Sequence, residues 1–141
     1  MKFNTKCSSC GNYKTRGISN DAIIEIEGKI LLIKRGKDPY KNYWALPGGH
    51  VEFDETVEES VIREVKEETG LTVTSLKLFG VYSNPKRHPK QVVAIAYITN
   101  ATGDIQAGDD ASDFQLFSKN EIPEKLAFDH KEIINDYLEK F

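Results

Sequence analysis

Apolar residues change their spacing several times along the chain, and each spacing predicts an element. Two short runs, Ala22-Ile23-Ile24-Glu25-Ile26 and Ile30-Leu31-Leu32-Ile33, flank Glu27-Gly28-Lys29 and predict a β-hairpin. Lys34 and Arg35 close it. Pro39 to Asn42 reads as a loop, and Tyr43 to Leu46 as a short strand ending at Pro47-Gly48-Gly49. The period then becomes helical. Val57, Val61, Ile62 and Val65 share one face, Thr56 and Glu59 form a capping-box pair, and Gly70 occupies the stop position. Leu71 to Tyr82 and Gln91 to Thr99 are rich in β-branched and aromatic residues and read as strands. The segments 83–90 and 104–113 read as loops. Phe114 to Phe117 predicts a last strand. Asp129 is placed to cap a terminal helix carrying Ile133, Ile134, Tyr137 and Leu138. The sum is an α/β chain: a strand-rich body with one central and one C-terminal helix.

Bulk properties narrow the function classes. The 141 residues fit one ordinary domain, 39% are hydrophobic and 29% charged, which suits a globular chain with one core. A formal net charge of −3 argues against non-specific nucleic-acid or acidic-membrane binding. No apolar run approaches the roughly 20 residues of a transmembrane helix. Met1 to Asn20 is polar throughout and lacks a signal-peptide core, so a cytoplasmic protein is expected.

The central helix carries the chemistry. At 100° per residue, Glu64, Glu67 and Glu68 fall within an arc of roughly 100°. Like charges at i,i+3 and i,i+4 repel, and Glu67 and Glu68 sit at the negative end of the helix dipole. Glu64 and Glu68 also overlap angularly with Val57 and Val61, at the edge of the buried face. Stability alone does not favour this arrangement, whereas clustered hard oxygen ligands suit Mg²⁺ or Mn²⁺. A Glu-rich helix face is most often simply solvated. Here Gly48 and Gly49 precede the helix closely, so a tight turn can bring a backbone carbonyl to the acidic side. Arg63 can pair with Glu67 along the helix or reach back to Glu55.

These residues fill a known pattern. Gly49-His50-Val51-Glu52-Phe53-Asp54-Glu55, seven residues, then Arg63-Glu64-Val65-Lys66-Glu67-Glu68-Thr69-Gly70-Leu71 resembles a complete Nudix box, G-x5-E-x7-R-E-U-x-E-E-x-G-U with U a bulky aliphatic. Seven identities and two aliphatic positions at set spacing do not match by accident. Leu78 to Ser83, Ala107 to Ala111 and Leu126 to His130 further resemble prokaryotic ADP-ribose pyrophosphatases. The resemblance implies the Nudix α/β/α sandwich with a mixed β-sheet over residues 21–141, and a homodimer is its common state. It implies that Glu64, Glu67, Glu68 and the Gly48 carbonyl hold Mg²⁺ or Mn²⁺, and that Arg63 and Glu55 orient the catalytic helix. A later loop acid often assists. Asp110 is the candidate, with Asp109 and Asp113 behind it; a turn-forming aspartate is the other reading.

The implied reaction is metal-assisted hydrolysis of a nucleoside diphosphate linked to another group X. Pro85 lies about fifteen residues beyond Gly70, where ADP-ribose pyrophosphatases tend to carry proline, and this resemblance implies ADP-ribose as substrate, cleaved to AMP and ribose 5-phosphate. His88, where such enzymes often carry Asp, is a departure, as is Asp54 in place of the usual Gly. The alternatives are an NADH, nucleoside-triphosphate or oxidised-nucleotide pyrophosphatase, and a non-catalytic nucleotide-sensing domain. Arg35 and Arg87 are candidate phosphate contacts and Tyr82 a candidate substrate contact, with Phe79, Tyr40 and Tyr43 as further aromatics able to stack adenine. Either arginine is equally well a surface charge, and aromatics like these are more often core or scaffold.

Residues 1–20 form a polar arm with Cys7-Ser8-Ser9-Cys10-Gly11, half of a zinc-ribbon-like motif. A structural zinc site needs four ligands, and no second cysteine pair exists in the sequence. A metal-free turn is therefore expected. A zinc bridging two chains is the main alternative.

Overall fold

In the computed structural model, which describes residues 6–141, one seven-stranded mixed sheet lies between two helices. The hairpin is present as β1 (Ile18–Ile26) and β2 (Lys29–Arg35). Strands β3 (Trp44–Ala45) and β4 (Gly48–His50) precede α1 (Val57–Thr69). Strands β5 (Thr72–Tyr82), β6 (Val93–Thr102) and β7 (Ala111–Ser118) follow, and α2 (His130–Lys140) ends the chain. The main path runs β3-β2-β1-β6-β5, with β4 on β1 and β7 on β2. Only the β1–β6 pair is parallel among these ladders.

Strand periodicity explains the two-sided core. Successive side chains on a strand point to opposite faces. Ala22 and Ile24 of β1 join Leu31, Val61 and Val65 on the α1 side. Ile23, Ile30 and Leu32 turn the other way, onto Ile133, Ile134 and Tyr137 of α2. The strands are therefore apolar on both faces and read as continuous runs rather than alternating ones. This is the α/β/α sandwich expected. No helix among the described residues is long and apolar enough to cross a membrane.

Helix α1 starts as its sequence dictates. The Thr56 side chain accepts from the Glu59 N–H and the Glu59 side chain accepts from the Thr56 N–H, each at 3.0 Å. Gly70 closes the helix in the left-handed region at φ 77°. Thr56→Ala is expected to lower stability by about 1 kcal/mol in urea denaturation; an unchanged midpoint would contradict the role of the cap.

Several expectations need correction. Strand β7 begins at Ala111, inside the segment read as loop, because it pairs with β2 as far as Arg35. A short 3-10 turn, Pro85–Arg87, interrupts the loop before β6. Asp129 precedes α2 but makes no side-chain cap. Its carboxylate is taken by Arg87 instead, at 2.7 and 2.9 Å.

Candidate active site

The sheet splits along β1. Its first half pairs with β4, its second with β2, and a cleft of about 680 Å³ opens beside the split. Helix α1 lines it with Glu64, Glu67 and Glu68, and Arg35 at the end of β2, His88 and Phe128 line it as well.

Arg63 organises the acidic residues. Its Nε and one terminal nitrogen grip Glu55 bidentately at 3.0 and 2.8 Å. That nitrogen also donates to the His50 carbonyl at 3.0 Å. The other terminal nitrogen reaches Glu64 at 2.9 Å and Glu67 at 3.2 Å. One guanidinium thus fastens the box loop to the helix and restrains two carboxylates, as its planar fork permits. Both partners respond: the Glu55 carboxyl is held below the usual range by Arg63, and Glu55 pushes the Arg63 pKa further up.

The glutamates separate by depth. Glu67 is exposed and Glu64 half-buried, and one oxygen of each lies within 4.8 Å of the other and of an Asp109 oxygen. Glu68 is only 4% exposed, and its Oε1 accepts the Gly48 N–H at 2.7 Å. Burial pushes its carboxyl up to about 8, helped by the Glu64 and Asp110 charges and opposed by the Gly48 hydrogen bond. Burial also raises Glu64. Glycine at 48 and 49 makes this possible. A Cβ on Gly49 would overlap the Glu64 carboxylate, and one on Gly48 the Asn20 carbonyl of β1. The oxygen-only donor set of Glu64, Glu67 and Asp109 fits a hard divalent cation.

The remaining candidates divide. Asp109, the second choice, joins the acidic grouping, while Asp110 lines the cleft in an ion pair with Lys37 at 2.7 Å. Asp113 lies on β7, where it accepts its neighbour's N–H. Arg35 lines the cleft, with its Nε donating to the Pro39 carbonyl at 2.7 Å. Arg87 also lines it, but its donors are taken by Asp129 and the Val92 carbonyl, so it braces the wall. Tyr82 does not line the cleft: it packs with the α2-side core and donates to Asp136 at 2.8 Å. Phe79 packs there too. Strand period 2 with a register shift near Leu78 and Gly80 sets these directions, which the sequence alone does not reveal.

Two wall elements escape a reading of the sequence. Phe128 stacks on His88 at 4.8 Å and 10°, with the Arg35 guanidinium 5.1 Å from its ring and Tyr40 edge-on at 4.8 Å. His130 Nδ1 accepts the Leu46 N–H, and its Nε2 lies 3.2 Å from Asp21 Oδ1; both residues are buried. This pair holds the turn that delivers Gly48. The signals for them are the departure at His88 and the resemblance carried by Leu126 to His130, neither of which assigns a role to a side chain.

The NUDIX domain family model matches residues 17–137. The ADP-ribose pyrophosphatase of Methanocaldococcus jannaschii is 51% identical over 128 residues, which cover 89% of this chain and 75% of that protein. The NUDIX domain of Shewanella oneidensis NrtR, solved with ADP ribose, superposes with a TM-score of 0.81 at 25% identity, covering 91% of this chain and 90% of that one. A bifunctional NMN adenylyltransferase/ADP ribose pyrophosphatase from Francisella tularensis, solved with AMP and a Mn ion, gives 0.77 at 28% identity. It is covered over 42% of its length, and this chain over 91%. With the box complete, the fold matched and the family model spanning most of its length, the chain belongs to the Nudix hydrolase family.

Proposed function

We propose that the protein hydrolyses ADP-ribose to AMP and ribose 5-phosphate with Mg²⁺ or Mn²⁺ held by Glu64, Glu67, Glu68 and the Gly48 carbonyl, Asp109 assisting. The observation that carries it is the composition of one cleft: oxygen ligands gather at Glu64, Glu67 and Asp109, and an aromatic and cationic grouping of Phe128, His88 and Arg35 lines the same cleft. The likeness to an ADP-ribose pyrophosphatase at 51% identity supports this substrate over NADH or nucleoside triphosphates.

A cation bound at the glutamates would neutralise diphosphate oxygens and acidify a water. The chain's own residues supply the rest. Arg63 and Glu55 fix the helix so that the carboxylates need no rearrangement when substrate arrives. Arg35 offers a guanidinium to a phosphate oxygen, and the Phe128–His88 wall offers an apolar surface to the nucleoside. Water adds to one phosphorus, the bridging P–O bond breaks, and the departing phosphate leaves as AMP or ribose 5-phosphate. Positioning and charge neutralisation supply most of the barrier reduction in such reactions.

Chromatography of products from ADP-ribose, NADH, ATP and 8-oxo-dGTP tests the assignment. AMP and ribose 5-phosphate are expected from ADP-ribose with the highest kcat/KM. A rival more than about tenfold better, a difference of roughly 1.4 kcal/mol in transition-state binding, would refute it.

A further inference from the structure

Lys6 to Arg16, ahead of the matched domain, take no part in the cleft, yet they are built as more than a polar turn. The Cys7 N–H donates to the Asn12 carbonyl at 2.7 Å and the Gly11 N–H to the Cys7 carbonyl at 2.9 Å. An antiparallel bridge between Lys6 and Tyr13 closes the loop. Gly11 sits at φ 76°, so the chain reverses immediately after Cys10 at no steric cost. The Ser9 N–H points at Cys7 Sγ at 3.4 Å. A backbone N–H directed at a cysteine sulfur from two residues on is compatible with a metal-binding turn.

The knuckle is also held in place. Arg16 donates to the Gln91 carbonyl at 2.6 Å and the Ser83 carbonyl at 2.8 Å, and the Gly17 carbonyl accepts the Val93 N–H at 2.9 Å. Both cysteines are free, Cys10 exposed and Cys7 partly so. Counting ligands within one chain favours a metal-free turn. Two free thiols on one turn whose backbone is already closed, at least partly open to solvent, shift that balance.

We propose that Cys7 and Cys10 bind zinc together with the same pair from a second copy of the chain, forming one four-thiolate site on a two-fold axis. Structural zinc takes four ligands in a tetrahedron and accepts sets made wholly of cysteine thiolates. The chain's own supply stops at two. Among the described residues, the grouping of three or more potential ligands lies at Glu64, Glu67 and Asp109, and residues 1–5 contain no Cys, His, Asp or Glu. A two-fold axis through the ion makes the contact isologous and delivers the missing pair. Four thiolates around Zn²⁺ leave excess negative charge, and Lys6 and Lys14 flank the motif in sequence as nearby positive charges. The site stands independently of the catalytic reading.

The test loads the full chain with excess Zn²⁺, removes unbound metal by gel filtration in Mg²⁺ buffer, and measures zinc by plasma emission and mass by sedimentation equilibrium. The Cys7→Ser/Cys10→Ser variant runs alongside. The expected result is about half an equivalent of zinc per chain on a dimer, absent from the variant, whose Mg²⁺-dependent hydrolysis is unchanged and shows that it folds. Cobalt in place of zinc should give the absorption of a tetrahedral four-thiolate site. Zinc that persists in the variant belongs to the acidic cleft and overturns the proposal. So do an absence of zinc, a full equivalent on a monomer, or a Cys7–Cys10 disulfide in protein isolated under reducing conditions.

Discussion

Glu68→Gln should reduce turnover by about a hundredfold or more while stabilising the metal-free protein at pH 8. Both effects come from one geometry. Glu68 is buried against Gly48 and faces the Glu64 and Asp110 charges, which raises its carboxyl to about 8. A folded-state pKa above the unfolded one means that stability is fully present below the unfolded value, near 4.5, and is lost as pH rises through about 8. The metal-free wild type should therefore melt at lower temperature at pH 8 than at pH 5. Glutamine keeps the acceptor for the Gly48 N–H but carries no charge, so the variant should lose this component of the pH dependence. Its gain at pH 8 should be on the order of 2 kcal/mol. A cation reverses the balance by favouring the ionised form, so metal affinity should rise over the same interval. Calorimetric melts in chelator at both pH values, with turnover in Mg²⁺, check this. Wild-type turnover in the variant, or parallel melting curves, would contradict it.

The adjacent glycines should separate fold from chemistry. A methyl at position 48 meets backbone, overlapping the Asn20 carbonyl oxygen and standing 3.0 Å from the Asp21 Cα. Backbone cannot step aside, so Gly48→Ala should break the β4–β1 pairing and lower stability by more than about 3 kcal/mol. The nearest atoms to a methyl at 49 are those of the Glu64 carboxylate, the free end of a flexible side chain. Gly49→Ala should fold normally and lose activity by about a hundredfold, because Glu64 is displaced from Glu67 and Asp109. Circular dichroism and rate measurements on both variants suffice. A stable Gly48→Ala, or a fully active Gly49→Ala, would contradict the stated contacts.

Local signals carry the elements that local physics decides. The capping box, Gly70 and the helical period place α1 almost to the residue, and the apolar runs place β2 and the second half of β1, whose first residues, from Ile18, begin inside the segment read as a polar arm because β4 and β6 pair with them. The acidic arc is a property of one helix, so its spacing is legible too. What cannot be read depends on contacts between distant segments. Strand β7 starts at Ala111 because β2 offers it a partner there. Asp129 looks like a helix cap and is instead the partner of Arg87, 42 residues away. Asp109 and Asp110 are neighbours in the chain, and only the fold turns one to Glu64 and Glu67 and the other to Lys37. Tyr82 lies on a strand whose register shift between Leu78 and Gly80 has no sequence mark beyond the glycine.

In the function proposed above, the Glu64, Glu67 and Glu68 carboxylates hold the cation on which diphosphate cleavage depends. The most direct test of this is the initial rate of AMP release from ADP-ribose as Mg²⁺ is titrated into chelator-treated protein, wild type and Glu67→Gln in parallel. The predicted result is no release without metal, a saturable rise in the wild type, and a rise at least about a hundredfold smaller in the variant. Metal-free wild type releasing AMP at its full rate, or a variant that follows the wild-type curve, would contradict the account.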